Sequence, residues 1–141
     1  MLIAAALLAL PLGLGAAEAA PAPVQHGPAE PDGTTPLHRA VYEGDADAVR
    51  QLLKAGADAT RANLFGATPL MLAAVTGNTE VIRLLLEAGV PADSPNAEGQ
   101  TPLMVVARTG NVDAAKLLLR KGAKVNARET WGGQTALMWA A

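Results

Sequence analysis

Residues 66–91 read GATPLMLAAVTGNTEVIRLLLEAGVP, and the same pattern returns on either side of them. Upstream, residues 33–58 read GTTPLHRAVYEGDADAVRQLLKAGAD. Downstream, residues 99–124 read GQTPLMVVARTGNVDAAKLLLRKGAK, and residues 133–141 open a further copy, GQTALMWAA. The threonines near the head of each copy, Thr35, Thr68, Thr101 and Thr135, are spaced by 33, 33 and 34 residues. Self-similarity at a fixed period of this size marks an array of stacked units.

Each copy makes physical sense as a pair of short helices. Thr35, Thr68 and Thr101 stand where an N-cap hydroxyl accepts from a free backbone N–H. Pro36, Pro69 and Pro102 follow at the first helical position, where a missing N–H costs nothing. Leu37, Leu70 and Leu103 start a buried stripe, and Ala40, Ala73 and Val106 continue it one turn later. Gly44, Gly77 and Gly110 end this first helix. A second helix follows, with Leu52-Leu53, Leu85-Leu86 and Leu118-Leu119 expected on its buried face. Gly56, Gly89 and Gly122 stop it in a left-handed position. One such pair cannot bury its apolar face alone, and stacked neighbours bury it together.

Composition agrees. Half of the 141 residues are hydrophobic but only 3% are aromatic, so Ala, Leu and Val carry the apolar share. That favours closely packed helices over a β-sandwich.

A period near 33 headed by Thr-Pro-Leu-His resembles the ankyrin repeat. The resemblance covers the chain from about Glu30 to Ala141. It implies an all-α solenoid of helix-turn-helix units whose connecting turns project sideways as β-hairpins. It implies repeats over 33–63, 66–96 and 99–130 with a partial unit over 133–141. It also implies that His38 hydrogen-bonds backbone between units.

The first unit is the most polar, with Gln51 where Leu84 and Leu117 stand in the others and with Asp45, Asp47, Arg50 and Lys54 nearby. Thr35–Gly56 is therefore read as an N-terminal cap with one face in water. At the other end Leu137 and Trp139 would have no second helix to pack on, which leaves apolar surface exposed. The chain is accordingly expected to be a fragment of a longer array, of the exported bacterial type that units like ETWGGQTALMWAA resemble.

Export is read from the first residues. Leu2–Ala17 carries no charge and has the length of a signal-peptide core, broken by Pro11, Gly13 and Gly15. Ala17-Glu18-Ala19 then supplies the small-x-small pattern, so residues 1–19 are expected to be a signal peptide cut after Ala19, with Ala20 the near competitor. Only the α-amino group provides positive charge there. A retained segment would instead tether the protein to the membrane. Residues 20–32, with Pro21, Pro23, Pro28 and Pro31, form a Pro-rich linker. The expected location is the periplasm.

The residues offer little chemistry. With no cysteine, thiolate nucleophiles and disulfides are excluded. His26 lies in the linker, and His38 has Met71, Met104 and Met138 as its counterparts, so it is not a repeated ligand. Asp45 and Asp47 suit a helix start, and Arg120, Lys121 and Lys124 suit a helix end. Asp58, Asp93 and Lys124 fall in turns without converging. No catalytic residue, metal site or cofactor is expected. A net charge of −2 with scattered basic residues makes no case for nucleic acid.

What remains is binding of an unidentified protein by a monomer. By position the resemblance assigns the surface to the inner helix residues Tyr42, Glu43, Val75, Thr76, Arg108 and Thr109 and to the hairpin tips Leu64, Phe65, Ala97, Glu98 and Trp131. Aromatic and arginine side chains dominate binding hot spots, which centres the surface on Tyr42, Phe65, Arg108 and Trp131. Two alternatives stay open. Phe65 and Trp131 could pack hairpin against hairpin. The module could also be the targeting or regulatory arm of an enzyme whose catalytic domain lies beyond residue 141.

Overall fold

Thr35, Thr68 and Thr101 each head a helix in the computed structural model, which describes residues 28–141. Their hydroxyls accept from the backbone N–H three residues on, at 3.3 Å for His38, 3.2 Å for Met71 and 3.3 Å for Met104. The helices so capped are α1 (Pro36–Glu43), α3 (Pro69–Thr76) and α5 (Pro102–Thr109). Each ends on a glycine with φ of 72–73° (Gly44, Gly77, Gly110), a left-handed turn that a side chain would strain. The second helices follow at once: α2 (Ala46–Lys54), α4 (Thr79–Glu87) and α6 (Val112–Arg120). A short α7 (Ala136–Ala140) opens the fourth unit, and Thr135 makes no side-chain cap there.

The helices stack in two layers. In one, α1, α3, α5 and α7 are successive neighbours; in the other, α2, α4 and α6. The core runs between them through Leu37, Val41, Leu52, Leu70, Ile82, Leu85, Met104, Val106 and Leu118, all buried. The leucine pairs do not behave alike. In α4, flanked on both sides, Leu84, Leu85 and Leu86 are all buried. In α6 Leu118 is buried but Leu119 is 43% exposed, against the expectation, and in α2 Leu53 is half-buried. Adjacent helical residues point about 100° apart, so both are covered only where a helix stands on each side.

Polar side chains set the stacking register. Asn78 and Asn111 cap α4 and α6 by accepting from Val81 and Ala114 at 3.1 Å each. Their amide N–H groups reach back to the preceding unit, to the Gly44 carbonyl at 3.4 Å and the Gly77 carbonyl at 3.0 Å. The same place in the first unit holds Asp45, which caps α2 by accepting from Ala48 at 2.9 Å. A carboxylate has no N–H to give, and no earlier helix pair stands before it among the described residues. Between the second and third units, Asp93 accepts from the Lys124 backbone N–H at 2.7 Å. Both residues lie in turns 31 positions apart, and the stacking of the units brings them together.

His38 performs a similar service between the first two units. Its Nδ1 accepts from the Thr35 N–H at 3.2 Å, which leaves the ring proton on Nε2, and Nε2–H donates to the Ala67 carbonyl at 3.0 Å. Burial holds the imidazole below its ordinary pKa, a shift that the Ala67 carbonyl partly opposes.

The turns between units project, but no strand ladder forms among the described residues. The tips at Asn63 and Asn96 are tight turns, each closed by two backbone bonds: Asn63 N–H to the Ala67 carbonyl at 3.0 Å with Gly66 N–H to the Asn63 carbonyl at 2.9 Å, and Asn96 N–H to the Gln100 carbonyl with Gly99 N–H to the Asn96 carbonyl, both at 3.0 Å. Turns this short leave no residues for the extended pairing expected of a hairpin. Residues at the end of the Pro-rich stretch already form the first such tip, with the Glu30 N–H donating to the Thr34 carbonyl at 2.7 Å. Residues 1–27, with the expected signal peptide, most of the expected linker and His26, lie outside the described residues.

Candidate partner-binding surface

Positions that repeat in step along a stack fall in rows. The last turns of α1, α3 and α5 put Tyr42 and Glu43, Val75 and Thr76, and Arg108 and Thr109 in one such row, and all six are exposed. Tyr42 is 71% and Val75 56% exposed, high values for apolar side chains on a folded helix. Thr76 and Thr109 turn their hydroxyls onto the Ala73 and Val106 carbonyls at 3.2 and 2.9 Å.

The tips form the second row. Asn63 builds one by accepting from the Phe65 and Ala67 N–H groups, both at 3.0 Å. Asn96 builds the next in the same way, accepting from Glu98 at 3.1 Å and Gln100 at 2.9 Å. In the following tip that place is taken by Glu129. Its carboxylate gathers three backbone N–H groups, from Trp131 at 2.6 Å, Gly132 at 2.8 Å and Gln134 at 2.9 Å. These donors, Gln134 first, hold the carboxyl below its ordinary pKa. The longer side chain and the one extra residue give this tip a shape of its own. Neighbouring tips are tied through backbone, Leu64 N–H to the Asp32 carbonyl at 2.8 Å and Thr130 N–H to the Glu98 carbonyl at 2.9 Å. The tips are thus held in place while their side chains stay open: Leu64, Phe65 and Trp131 are 78%, 79% and 85% exposed, and Ala97 and Glu98 are exposed too. Phe65 and Trp131 do not pack tip against tip.

The family described as ankyrin repeats matches the chain in three copies, over residues 8–94, 37–129 and 89–141. The chain belongs to the ankyrin-repeat family. No curated protein matches it significantly. Ankyrin repeats are in general protein–protein interaction modules and are typically non-catalytic.

Two features of the ankyrin surface escaped the sequence. Arg108 does not stand free, since its guanidinium lies 5.4 Å from the centre of the Trp139 ring. Trp139, expected to have no second helix to pack on, is half-buried against the core of the preceding units, with its indole N–H buried and without an acceptor. Leu137 is 76% exposed, as expected. Nothing in the one-letter pattern pairs residues 108 and 139; the pairing appears once α7 is laid beside α5.

The opposite layer is of different character. Arg50 and Arg83 link Asp47, Glu80 and Glu87 in a chain of ion pairs across α2 and α4, with contacts of 2.5–3.3 Å. Such exposed pairs contribute little stability; they mark a hydrated outer face. Among the described residues no three acidic, histidine or cysteine side chains gather as metal ligands, and no helix is long and apolar enough to cross a membrane.

Proposed function

We propose that this protein is a non-enzymatic interaction module of the bacterial envelope that holds a partner protein along the inner-helix row and the tips. One observation carries the reading. Tyr42, Leu64, Phe65, Val75 and Trp131 are each more than half exposed and fall in the two rows described, while the α2–α4 layer displays ion pairs. Large apolar side chains left open in step along a stack are candidate anchors for a partner, and tyrosine and tryptophan are favoured in that role. The tips are braced by backbone bonds, so little order has to be imposed when a partner arrives.

The envelope part of the proposal rests on the uncharged run Leu2–Ala17 followed by Ala17-Glu18-Ala19. N-terminal sequencing of the protein recovered from the periplasm is expected to begin at Ala20.

Affinity capture from an envelope extract tests the binding surface. Phe65→Ala combined with Trp131→Ala is expected to abolish recovery of the partner while leaving the helical circular dichroism intact. Undiminished recovery by the folded double variant would overturn the assignment.

A further inference from the structure

The tip built on Glu129 differs from those built on Asn63 and Asn96, and a pocket lies beside it. It is a shallow, open cleft of about 510 Å³ between the third tip, the fourth tip and α7, within the size range of ligand clefts, about 300–1,000 Å³. Its walls include Glu98, Gln100, Glu129, Trp131, Gln134 and Trp139. Two of these are carboxylates, two are carboxamides and two are indoles, and no lysine or arginine is among them.

We propose that this pocket receives a cationic side chain, arginine or lysine, of the partner protein. The inference rests on the reading of the tips as a partner-binding surface, and it fixes the chemistry of one position on that surface.

Charge decides the class of ligand. Glu129 is buried and takes three backbone N–H bonds, yet no cation pairs with it. Glu98 is exposed at the rim, and its side chain makes no hydrogen bond or ion pair among the described residues. An anionic ligand would meet two like charges in the walls, and the two nearest cations, Arg108 and Arg128, are already engaged with Trp139 and the Gly133 carbonyl. A purely apolar one would bury a carboxylate against hydrocarbon, which is costly. A guanidinium or ammonium satisfies Glu98 and also finds an indole face, the best aromatic partner for a cation.

The protein's own cations leave the place open. Arg108 lies over Trp139 but is not a wall of the pocket, and it shows that this indole accepts a guanidinium. Arg128 is directed at the Gly133 carbonyl, 2.6 Å away. Trp131, 85% exposed, remains the ring available to an incoming cation.

The chain has only two tryptophans, so the indole N–H signals in a ¹H–¹⁵N spectrum report on this pocket directly. The probes are the blocked tripeptide acetyl-Gly-Arg-Gly-amide and its lysine, citrulline and glutamate counterparts, added at millimolar concentration to the full chain. The arginine and lysine peptides are expected to move the Trp131 indole signal and the Glu98 amide. The citrulline and glutamate peptides are expected to leave them in place. Glu98→Gln is expected to weaken the arginine response about threefold, as loss of one exposed charge pair implies, and Trp131→Ala to remove the Glu98 shift. Equal shifts with citrulline, no shift at either indole, or shifts confined to Tyr42 and Phe65 would each overturn the proposal. If it fails while partner capture still depends on Phe65, the binding surface stands and only the charge assignment falls.

Discussion

Replacing His38 by methionine isolates a single hydrogen bond between units. Met71 and Met104 occupy the equivalent place in the next two units and are buried there, so the position accepts methionine without a cavity. Met104 even reproduces part of the histidine's role, its sulfur accepting from the Thr101 N–H at 3.4 Å. What methionine cannot supply is a donor for the Ala67 carbonyl, which His38 Nε2–H reaches at 3.0 Å. A net hydrogen bond is worth about 0.5–1.5 kcal/mol, and an acceptor left without a partner adds to that when it is buried. Ala67 is only half-buried, so water offsets part of the loss, and about 1–2 kcal/mol is expected. At this chain length that lowers Tm by roughly 4–8 °C. The pH dependence tests the cause. The folded-state pKa of His38 lies below its ordinary value of 6.5 because of burial. The unfolded chain therefore takes up the proton first as pH falls. The stability linked to the neutral ring is complete above about pH 6.5 and drains away below it. In urea titrations the gap between wild type and His38→Met should be widest near pH 8 and narrow toward pH 5. His26, the other histidine, is the same in both proteins and cancels. Equal stability at pH 8, or a gap that holds constant or widens on acidification, would refute the reasoning.

Other substitutions test the stacking. Asn111→Asp keeps the α6 cap but removes the donor to the Gly77 carbonyl, so a loss of about 1 kcal/mol is expected in chemical denaturation, while Asp45→Asn should be nearly neutral. Leu118→Ala should cost about 2–5 kcal/mol and Leu119→Ala well under half of that, since only the first is buried. Gly99 and Gly122 both have positive φ, 76° and 93°, so alanine at either should cost about 1 kcal/mol. A methyl group at Gly99 also meets Thr130 at 3.3 Å, whereas Gly122 has open space, so only Gly99→Ala should perturb the Trp131 indole resonance.

The helix pairs were legible because each start and stop is written in a residue with one physical use: a Thr hydroxyl, a Pro without N–H, a Gly at left-handed φ. The inner-helix and tip positions followed from the resemblance to ankyrin repeats, carried over in step with the period. What stayed hidden depends on contacts between units. Leu118 and Leu119 look alike in sequence and are separated only by whether a helix covers them. Glu129 reads as an ordinary turn residue, yet it replaces the asparagine of Asn63 and Asn96 and reshapes its tip. The 34-residue spacing from Thr101 to Thr135 places one more residue in that tip but does not show its form. Arg108 and Trp139 are far apart in sequence, and only the stacking of α7 on α5 brings them together.

Site-specific photo-crosslinking in cells bears most directly on the central claim, that a partner is held on the inner-helix and tip rows. A photoreactive amino acid is placed in turn at Tyr42, Phe65, Val75 and Trp131, and at Lys54, Glu87 and Lys116 on the second-helix layer, all seven exposed. The account predicts one adduct of constant mass from the first four positions and none from the last three. The same adduct formed as readily from Lys54, Glu87 and Lys116 would contradict it.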